Sequence, residues 1–470
     1  MTIHTKHLFA TGLLAMGLAF TSCDDFLSDV PKGQKIPESY ADFEAFLRAE
    51  YGNHRLDPGQ AVILDNDRYV TNSYMNYYPL WAANFIWDET ADRIALNKSD
   101  ETTYYATYQG ISSFNLIIEH GPSLTQCTEA QRDELVAQAR VLRAMNYFHL
   151  VNYYADTYEA ATASLKGGVP VITSANVGAA YTQPSVQEVY DFMLKDLTES
   201  YNALPVQAAT MLHPNKAVAD AMLARVYLMM GNYNDALKHA NQALAFNDAL
   251  YDWTALYAQM EELVLDPANY TAITAPNGFD YCENYNFRHG SSSNSSTITH
   301  IPLHRAADFE EGDARYLLQW KYYNAGAEQY MRGMTRGFHN QGGMLTVEAW
   351  LIKAECLART GKVTEAMDCL NRVRETRILE EYYQPLTAAT EAEALPLIIR
   401  TKRNELILTM VPFCDARRLN AEGKYPVTFS KEYNGQRISL SAKSHLWTFP
   451  FPQGALENKG NGNIVQNVEK

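Results

Sequence analysis

Basic residues are scarce in this chain: 39 Lys and Arg stand against 54 Asp and Glu over 470 residues, a formal net charge of −15. Nucleic-acid binding by counterion release needs the opposite balance, so that class is excluded. Cysteine is scarcer still, with Cys23, Cys127, Cys282, Cys356, Cys369 and Cys414. They form no CxxC pair, and the five after Cys23 are odd in number, so neither a disulfide framework nor a zinc ribbon is supported. Buried free thiols are the expectation. Apolar runs are short: no stretch of about 18 apolar residues reads as a membrane-spanning helix. The glycine loops GxxxxGK[ST] and GxGxxG, the HExxH zinc pair and the GxSxG elbow are missing too. That removes the usual phosphate, metal and nucleophile arrangements. Asp65-Asn66-Asp67 opens like a calcium loop, but Val70 stands where the loop needs glycine and Asn76 where it needs a bidentate glutamate. Glu310, Glu311 and Asp313 read as a solvated charge run rather than a glycosidase pair. The expectation is a protein with no enzymatic activity, no cofactor and no metal.

What is present is an ordinary globular balance, 47% hydrophobic and 20% charged, with ample chain for a large core. One ratio stands out: 31 tyrosines against 18 phenylalanines. A core alone favours Phe, because a buried Tyr hydroxyl needs a partner. The surplus suggests a surface that holds something flat, apolar on its face and polar at its edge.

Lys6 precedes the apolar run from Leu8 to Phe20, and Thr21-Ser22 stand directly before Cys23. A positive start, a short apolar stretch and small residues before a cut make a secretory signal. The sequence around Cys23 resembles a bacterial lipoprotein cleavage site. Residues 1–22 are therefore expected to be a signal peptide, with Cys23 lipidated and 23–470 forming one helical domain. Several acyl chains on one cysteine anchor firmly, and a chain this acidic gains nothing from anionic headgroups.

Most of the remainder is expected to be helical. Segment 129–154 carries Leu135, Ala139, Leu142, Met145 and Leu150 near helical period, and Ser185-Val-Gln-Glu188 opens segment 185–204 as a capping box. Segments 217–247 and 347–377 repeat one another at a shift of 130, which lays Ala224 on Ala354, Gly231 on Gly361 and Ala236 on Ala366. This pattern resembles the tetratricopeptide helix–turn–helix unit, in which small residues let paired helices approach closely. The fold class is thus mainly all-α, with tetratricopeptide-like units near 129–154, 185–204, 217–247 and 347–377. Long loop-rich inserts, 60–110 and 248–345, interrupt the array, and such loops are usually functional.

The inserts are dense in aromatics. Tyr69, Tyr74, Tyr77, Tyr78, Trp81, Phe85 and Trp87 fall within nineteen residues, interleaved with Asp67, Arg68 and several asparagines. The second insert holds Tyr281, Tyr285, Phe287, Arg288, Trp320, Tyr322 and Tyr323. Flat rings stack on sugar CH faces while carboxylates, amides and guanidinium groups bond hydroxyls, the usual mixture of a binding site. The candidate glycan contacts are Asp67, Arg68, Tyr74, Tyr77, Tyr78, Trp81, Trp87, Tyr281, Tyr285, Arg288 and Trp320. The bland alternative is that a loop-rich region uses these rings as its local core.

Many short stretches, in order, resemble the SusD/RagB-like outer-membrane lipoproteins of Bacteroidetes. They include Cys23-Asp-Asp-Phe-Leu, Tyr105-Ala-Thr-Tyr-Gln-Gly-Ile111, Arg140-Val-Leu-Arg-Ala-Met-Asn-Tyr-Phe-His-Leu-Val-Asn-Tyr-Tyr154, Asp313-Ala-Arg315, Arg403-Asn-Glu-Leu406, Asp415-Ala-Arg417 and Phe449-Pro-Phe-Pro-Gln453. The resemblance implies four tetratricopeptide-like pairs supporting a loop-rich ligand face. It implies a lipid-anchored protein at the cell surface, lying as a lid on a TonB-dependent transporter of the SusC kind and passing it oligosaccharide without chemistry. Peptide capture by the same kind of lid, or a pure assembly scaffold, are the alternatives. Met410-Val-Pro-Phe-Cys414 departs from the family's usual run before Asp415.

Overall fold

The computed structural model describes residues 38–48, 55–176, 178–266, 273–274, 276, 278–288, 300–326, 328–336 and 340–469. The expected signal peptide and Cys23 lie outside the described residues. Helices α1 (Tyr40–Leu47), α2 (Ala61–Leu64), α3 (Asn72–Tyr77), α4 (Pro79–Phe85), α5 (Arg93–Leu96) and α6 (Ala106–His120) lead into the long α7 (Glu129–Tyr154) and α8 (Val186–Ser200). Then come α9 (Lys216–Met229), α10 (Tyr233–Phe246), α11 (Trp253–Leu265), α12 (Leu303–Ala306) and α13 (Ala314–Gln319). The chain closes with α14 (Thr346–Arg359), α15 (Val363–Glu375), α16 (Glu391–Glu405), α17 (Val411–Glu422) and α18 (Gln453–Glu457).

The protein is mainly α-helical; α7/α8, α9/α10 and α14/α15 pack as helix pairs, and α16 lies chiefly against α14. Segment 185–204, read from sequence as a unit of its own, is the second helix of the first pair: α8 packs along α7. A long connection separates the two, which hides the pairing from local pattern. The capping box at its start forms, with Ser185 Oγ accepting from the Glu188 N–H and Glu188 Oε2 accepting from the Ser185 N–H. The 130-residue repeat holds in atomic detail. At the first turn the Gly231 N–H donates to Leu228 O and the Asn232 N–H to Tyr227 O; at the second, Gly361 donates to Ala358 O and Lys362 to Leu357 O. Gly231 has φ +72 and Gly361 φ +83, a conformation that glycine adopts without steric penalty as it closes a helix end.

Helix α7 is the centre. From Val141 to Tyr154 every residue is buried, so its polar side chains have no solvent and must find partners. Arg143 makes two 2.8 Å bonds to Asp196 on α8 and a third to Asn115 on α6. Asn146 donates to Thr107 O at 3.0 Å. The closing segment seals the end of α7, with Phe449 stacked on Tyr153 at 4.2 Å and Phe451 on Tyr154 at 5.6 Å. Further buried ion pairs tie the array together. Arg225 on α9 meets Glu348 on α14 at 2.6 Å, and Arg418 on α17 meets Glu355 on α14 through bonds of 2.6 and 2.5 Å. Pro412 sits in the first turn of α17 and Phe413 is fully buried, so the divergent 410–414 run packs without a break.

The strands are short: β1 (Ile273–Thr274), β2 (Asn284–Asn286), β3 (His300–Pro302), β4 (Trp320–Ala325), β5 (Glu328–Gly333), β6 (Thr335–Arg336), β7 (Met344–Leu345), β8 (Phe429–Tyr433) and β9 (Gln436–Leu440). Antiparallel β3-β5-β4 is the largest sheet, with Tyr323 opposite Tyr330. In the β8–β9 hairpin Tyr433 pairs with Gln436 across Asn434-Gly435, both of positive φ, the turn that matches strand twist. The five described cysteines are free; Cys356, Cys369 and Cys414 are buried as expected, but Cys282 is exposed. No described helix is long and apolar enough to cross a membrane.

Candidate functional site

The first insert starts from a chain held rigidly to the core. Asp57 Oδ1 accepts the Gly59 N–H at 2.7 Å, and the Gln60 N–H donates to the Tyr153 hydroxyl on α7. Helix α2 is wholly buried, and the chain then reverses through Asn66 at φ +68. Asp67 is fully buried between Arg305, at 2.6 Å, and Arg403, at 3.1 Å. Its carboxylate is neutralised inside the protein, so Asp67 is a structural ion pair, contrary to its reading as a glycan contact. The adjacent Asp65 is buried as well; desolvation and the Asp67 charge hold its pKa well above the usual carboxylate range. Among the described residues no cluster of three or more His, Cys, Asp or Glu side chains is placed to hold a metal.

Beyond this clamp the chain surfaces. Thr71 caps α3, the Asn72 N–H donates to Glu328 Oε1 at 2.7 Å, and Pro79 opens α4. Tyr74, Tyr78 and Trp81 follow one another at steps of four and three, which places them on one side of the two-helix turn. Their ring centroids are 5.9 Å (Tyr74–Tyr78), 5.8 Å (Tyr74–Trp81) and 5.0 Å (Tyr78–Trp81) apart, with planes 9° to 28° from parallel. Three rings in a column would put one separation near the sum of the other two. Nearly equal separations mean a stepped triangular platform instead. Tyr74 and Tyr78 are 46% and 48% exposed, Tyr77 projects beside them at 80%, and Trp81 is half-buried. The Arg68 guanidinium lies over Trp81, 5.0 Å from the ring centroid.

The second insert meets this platform. Tyr69 stacks on Tyr330 of β5 at 4.9 Å, Tyr330 on Tyr323 of β4 at 5.0 Å, and His300 on Tyr330 at 4.3 Å. The Tyr69 N–H donates to His300 O at 2.8 Å, so backbone as well as rings joins the two segments. Tyr323 is exposed at the far end of this ladder, and Tyr322, its neighbour on β4, is exposed as well. Burial and the nearby Glu328 push the Tyr69 hydroxyl up to about 12. Beneath, Lys431 of β8 lies 3.9 Å from the Phe85 centroid and 4.1 Å from that of Trp87, and donates to Asn66 Oδ1. Burial pushes this amine down to about 7.

The remaining sequence candidates are core. Trp87 is 5% exposed, sits at φ +54 just past α4, and donates its indole N–H to Leu64 O at 2.9 Å. Tyr281 is buried and its hydroxyl accepts from the Trp253 indole at 3.1 Å; Tyr285 is buried and donates to Asn247 O at 2.6 Å. Arg288 is buried and donates to Leu212 O, while Trp320 points inward from β4 onto Ile301 and Met331. Trp87, Tyr281, Tyr285 and Arg288 have internal partners for their polar atoms, and Trp320 packs in an apolar cluster, so all five serve the core. Arg68, Tyr74, Tyr77, Tyr78 and Trp81 are the candidates that the structure brings together in the open. Tyr330 was not singled out in the sequence. The signal for it is the strand pairing that sets it opposite Tyr323, and neither strand shows strong alternation.

The fold and this face together define a tetratricopeptide-type helical array that carries an aromatic surface built on two inserts. Residues 25–228 match the family model described as SusD-like, "Starch-binding associating with outer membrane". A SusD superfamily protein of Bacteroides thetaiotaomicron shares the fold with a TM-score of 0.68 at 17% identity, over 92% of this chain and 100% of that one. A putative sugar-binding protein of Bacteroides vulgatus gives 0.66 at 16% over 93% and 100%, and a laminarin-binding SusD-like protein 0.61 at 17% over 92% and 100%. In sequence, SusD-like protein P2 of Formosa agariphila is 31% identical over 128 residues, 26% of this chain and 23% of that relative's length. The N-terminal part of the chain is thus similar to the SusD-like family, and nearly the whole chain shares the fold of solved SusD superfamily proteins.

Proposed function

We propose that this protein is a non-catalytic glycan-binding lipoprotein, anchored through Cys23 at the outer-membrane surface, that passes oligosaccharide to a TonB-dependent transporter of the SusC kind. The observation that carries the glycan reading is the platform of Tyr74, Tyr78 and Trp81 with Tyr77 beside it. Open ring faces of this size are left in water only at some loss of burial, and sugars match them through apolar CH faces. The main helical core closes without them, and only Trp81 also packs against a small buried cluster of Ile63, Val70 and Phe85. The family model's description and the laminarin-binding neighbour support the same ligand class.

The test is isothermal titration of soluble protein starting at Asp24 against a panel of oligosaccharides, with Trp81→Ala and Tyr78→Ala as controls. Binding of a panel member, lost in both variants while the melting temperature holds, supports the reading. Binding that survives both substitutions, or no binding across the panel, refutes it.

A further inference from the structure

We propose that Arg68 makes this face selective for acidic glycans, its guanidinium taking a carboxylate or sulfate ester on a sugar whose ring rests on the tyrosines. The inference rests on the glycan-binding reading above and adds the charge class of the ligand.

Other arginines near the inserts have polar partners for their guanidinium groups. Arg305 pairs with Asp67, Arg377 with Glu283 and Glu405, and Arg93 donates to the carbonyls of His445, Leu446 and Thr448. Arg68 is different. Among the described residues its guanidinium has no carboxylate within ion-pair distance and no hydrogen-bond acceptor; its one close contact is the face of Trp81. Asp57 acts on it only at longer range, and Asp57 Oδ1 accepts the Gly59 N–H. A half-buried cation resting on an indole is held in place, yet its planar fork of N–H donors is left unfilled. Burial lowers its pKa, and Asp57 and Tyr74 at longer range offset this only in part.

The position is preorganised. The Arg68 N–H donates to Val62 O at 2.7 Å, the preceding Asp67 is clamped by Arg305 and Arg403, and the following Tyr69 is stacked on Tyr330. An anion arriving at the fork therefore immobilises little further structure. A guanidinium matches carboxylate and sulfate oxygens with two parallel bonds, which a neutral hydroxyl cannot reproduce. A site for neutral sugar gains nothing from leaving this charge unpaired, since desolvating it without a partner is unfavourable. The formal −15 of the whole chain opposes polyanions only at long range, and salt screens it beyond about 8 Å. Discrimination is thus a contact effect.

The experiment is titration with four probes of matched length: neutral β-glucan and neutral galactan oligosaccharides, oligogalacturonate, and a sulfated galactan oligosaccharide. The expected result is binding of at least one acidic probe on the order of ten- to a hundredfold tighter than its neutral counterpart. Arg68→Met, which keeps the aliphatic cover on Trp81, should abolish that preference, and Arg68→Lys should retain part of it. Preference for oligogalacturonate assigns a carboxylate, and preference for the sulfated probe a sulfate ester. Equal binding of neutral and acidic probes, unchanged in Arg68→Met, overturns this inference and leaves the platform reading standing. Failure of all four probes overturns both.

Discussion

Trp81→Ala and Trp87→Ala separate binding from folding within one short segment. Trp87 is 5% exposed, packs against Lys431 and hydrogen-bonds Leu64 O. Truncating a buried Trp to Ala costs about 3–5 kcal/mol through lost transfer energy and the cavity. The Leu64 carbonyl, left without its donor, adds on the order of 1 kcal/mol. Alanine at φ +54 keeps the backbone strain of the position, so nothing is returned there. A loss of about 4–5 kcal/mol is a large fraction of a typical total stability. Trp81, by contrast, is half-buried; it contacts Tyr74, Tyr78 and Arg68 and packs partly against the small cluster of Ile63, Val70 and Phe85. Removing it forfeits ring pairs worth about 0.5–1.5 kcal/mol each, at a partly solvated site, so the midpoint should move only slightly. Urea unfolding followed by tryptophan fluorescence, with titration against a bound oligosaccharide, measures both properties. Trp87→Ala should shift the midpoint strongly, and Trp81→Ala should weaken binding at least tenfold with a near-normal midpoint. A normal midpoint for Trp87→Ala, or a collapsed one for Trp81→Ala, would refute the placement of these two indoles.

Three further outcomes follow from the scaffold. Arg418→Ala leaves Glu355 buried with Arg359 as its remaining close partner, and should lower stability by about 3–5 kcal/mol in a denaturant titration; a change below 1 kcal/mol would show that the α14–α17 contact is not buried. Gly231→Ala and Gly361→Ala meet no neighbouring atom, so the loss at each should be purely conformational, about 1–2 kcal/mol and alike at both turns; unlike losses would argue against the equivalence of the two turns. His149 is buried, and desolvation, with Arg225 acting in the same direction, pushes its pKa down to about 4 from 6.5. Its neutral form is the folded form, so its contribution is intact above pH 6.5 and is lost as pH falls towards 4, about 3 kcal/mol in all. His149→Gln should flatten the midpoint-versus-pH profile in that window, and an unchanged slope would contradict the burial.

The helical array was largely legible because its signals are local. Gly231 and Gly361 mark turns that only a left-handed residue closes, and Ser185 with Glu188 marks a helix start by a contact three residues long. The pairing of α7 with α8 was not legible, since thirty-one residues of irregular chain, 155–185, separate them. The Asn434-Gly435 turn is a strong hairpin signal, but the strands that flank it are polar and half-exposed. The buried Arg143 in the most family-like stretch could be read as a motif, yet its partners Asp196 and Asn115 come from other helices.

At the candidate face the division is sharper. The sequence by itself determined that aromatic rings and a few polar groups would concentrate in two inserts, because composition and spacing are properties of the linear chain. It could not tell Trp81 from Trp87, six residues apart in the same cluster. Trp81 lies half-exposed on α4, whereas Trp87 falls two residues past its end at φ +54, which turns the indole under towards Leu64. Nor could it tell Arg68 from Arg288: both stand beside aromatics in the chain, but Arg288 reaches the Leu212 carbonyl and Arg68 only the face of Trp81. Exposure and the supply of hydrogen-bond partners are set by what the rest of the chain brings to a residue, and only the tertiary structure decides that.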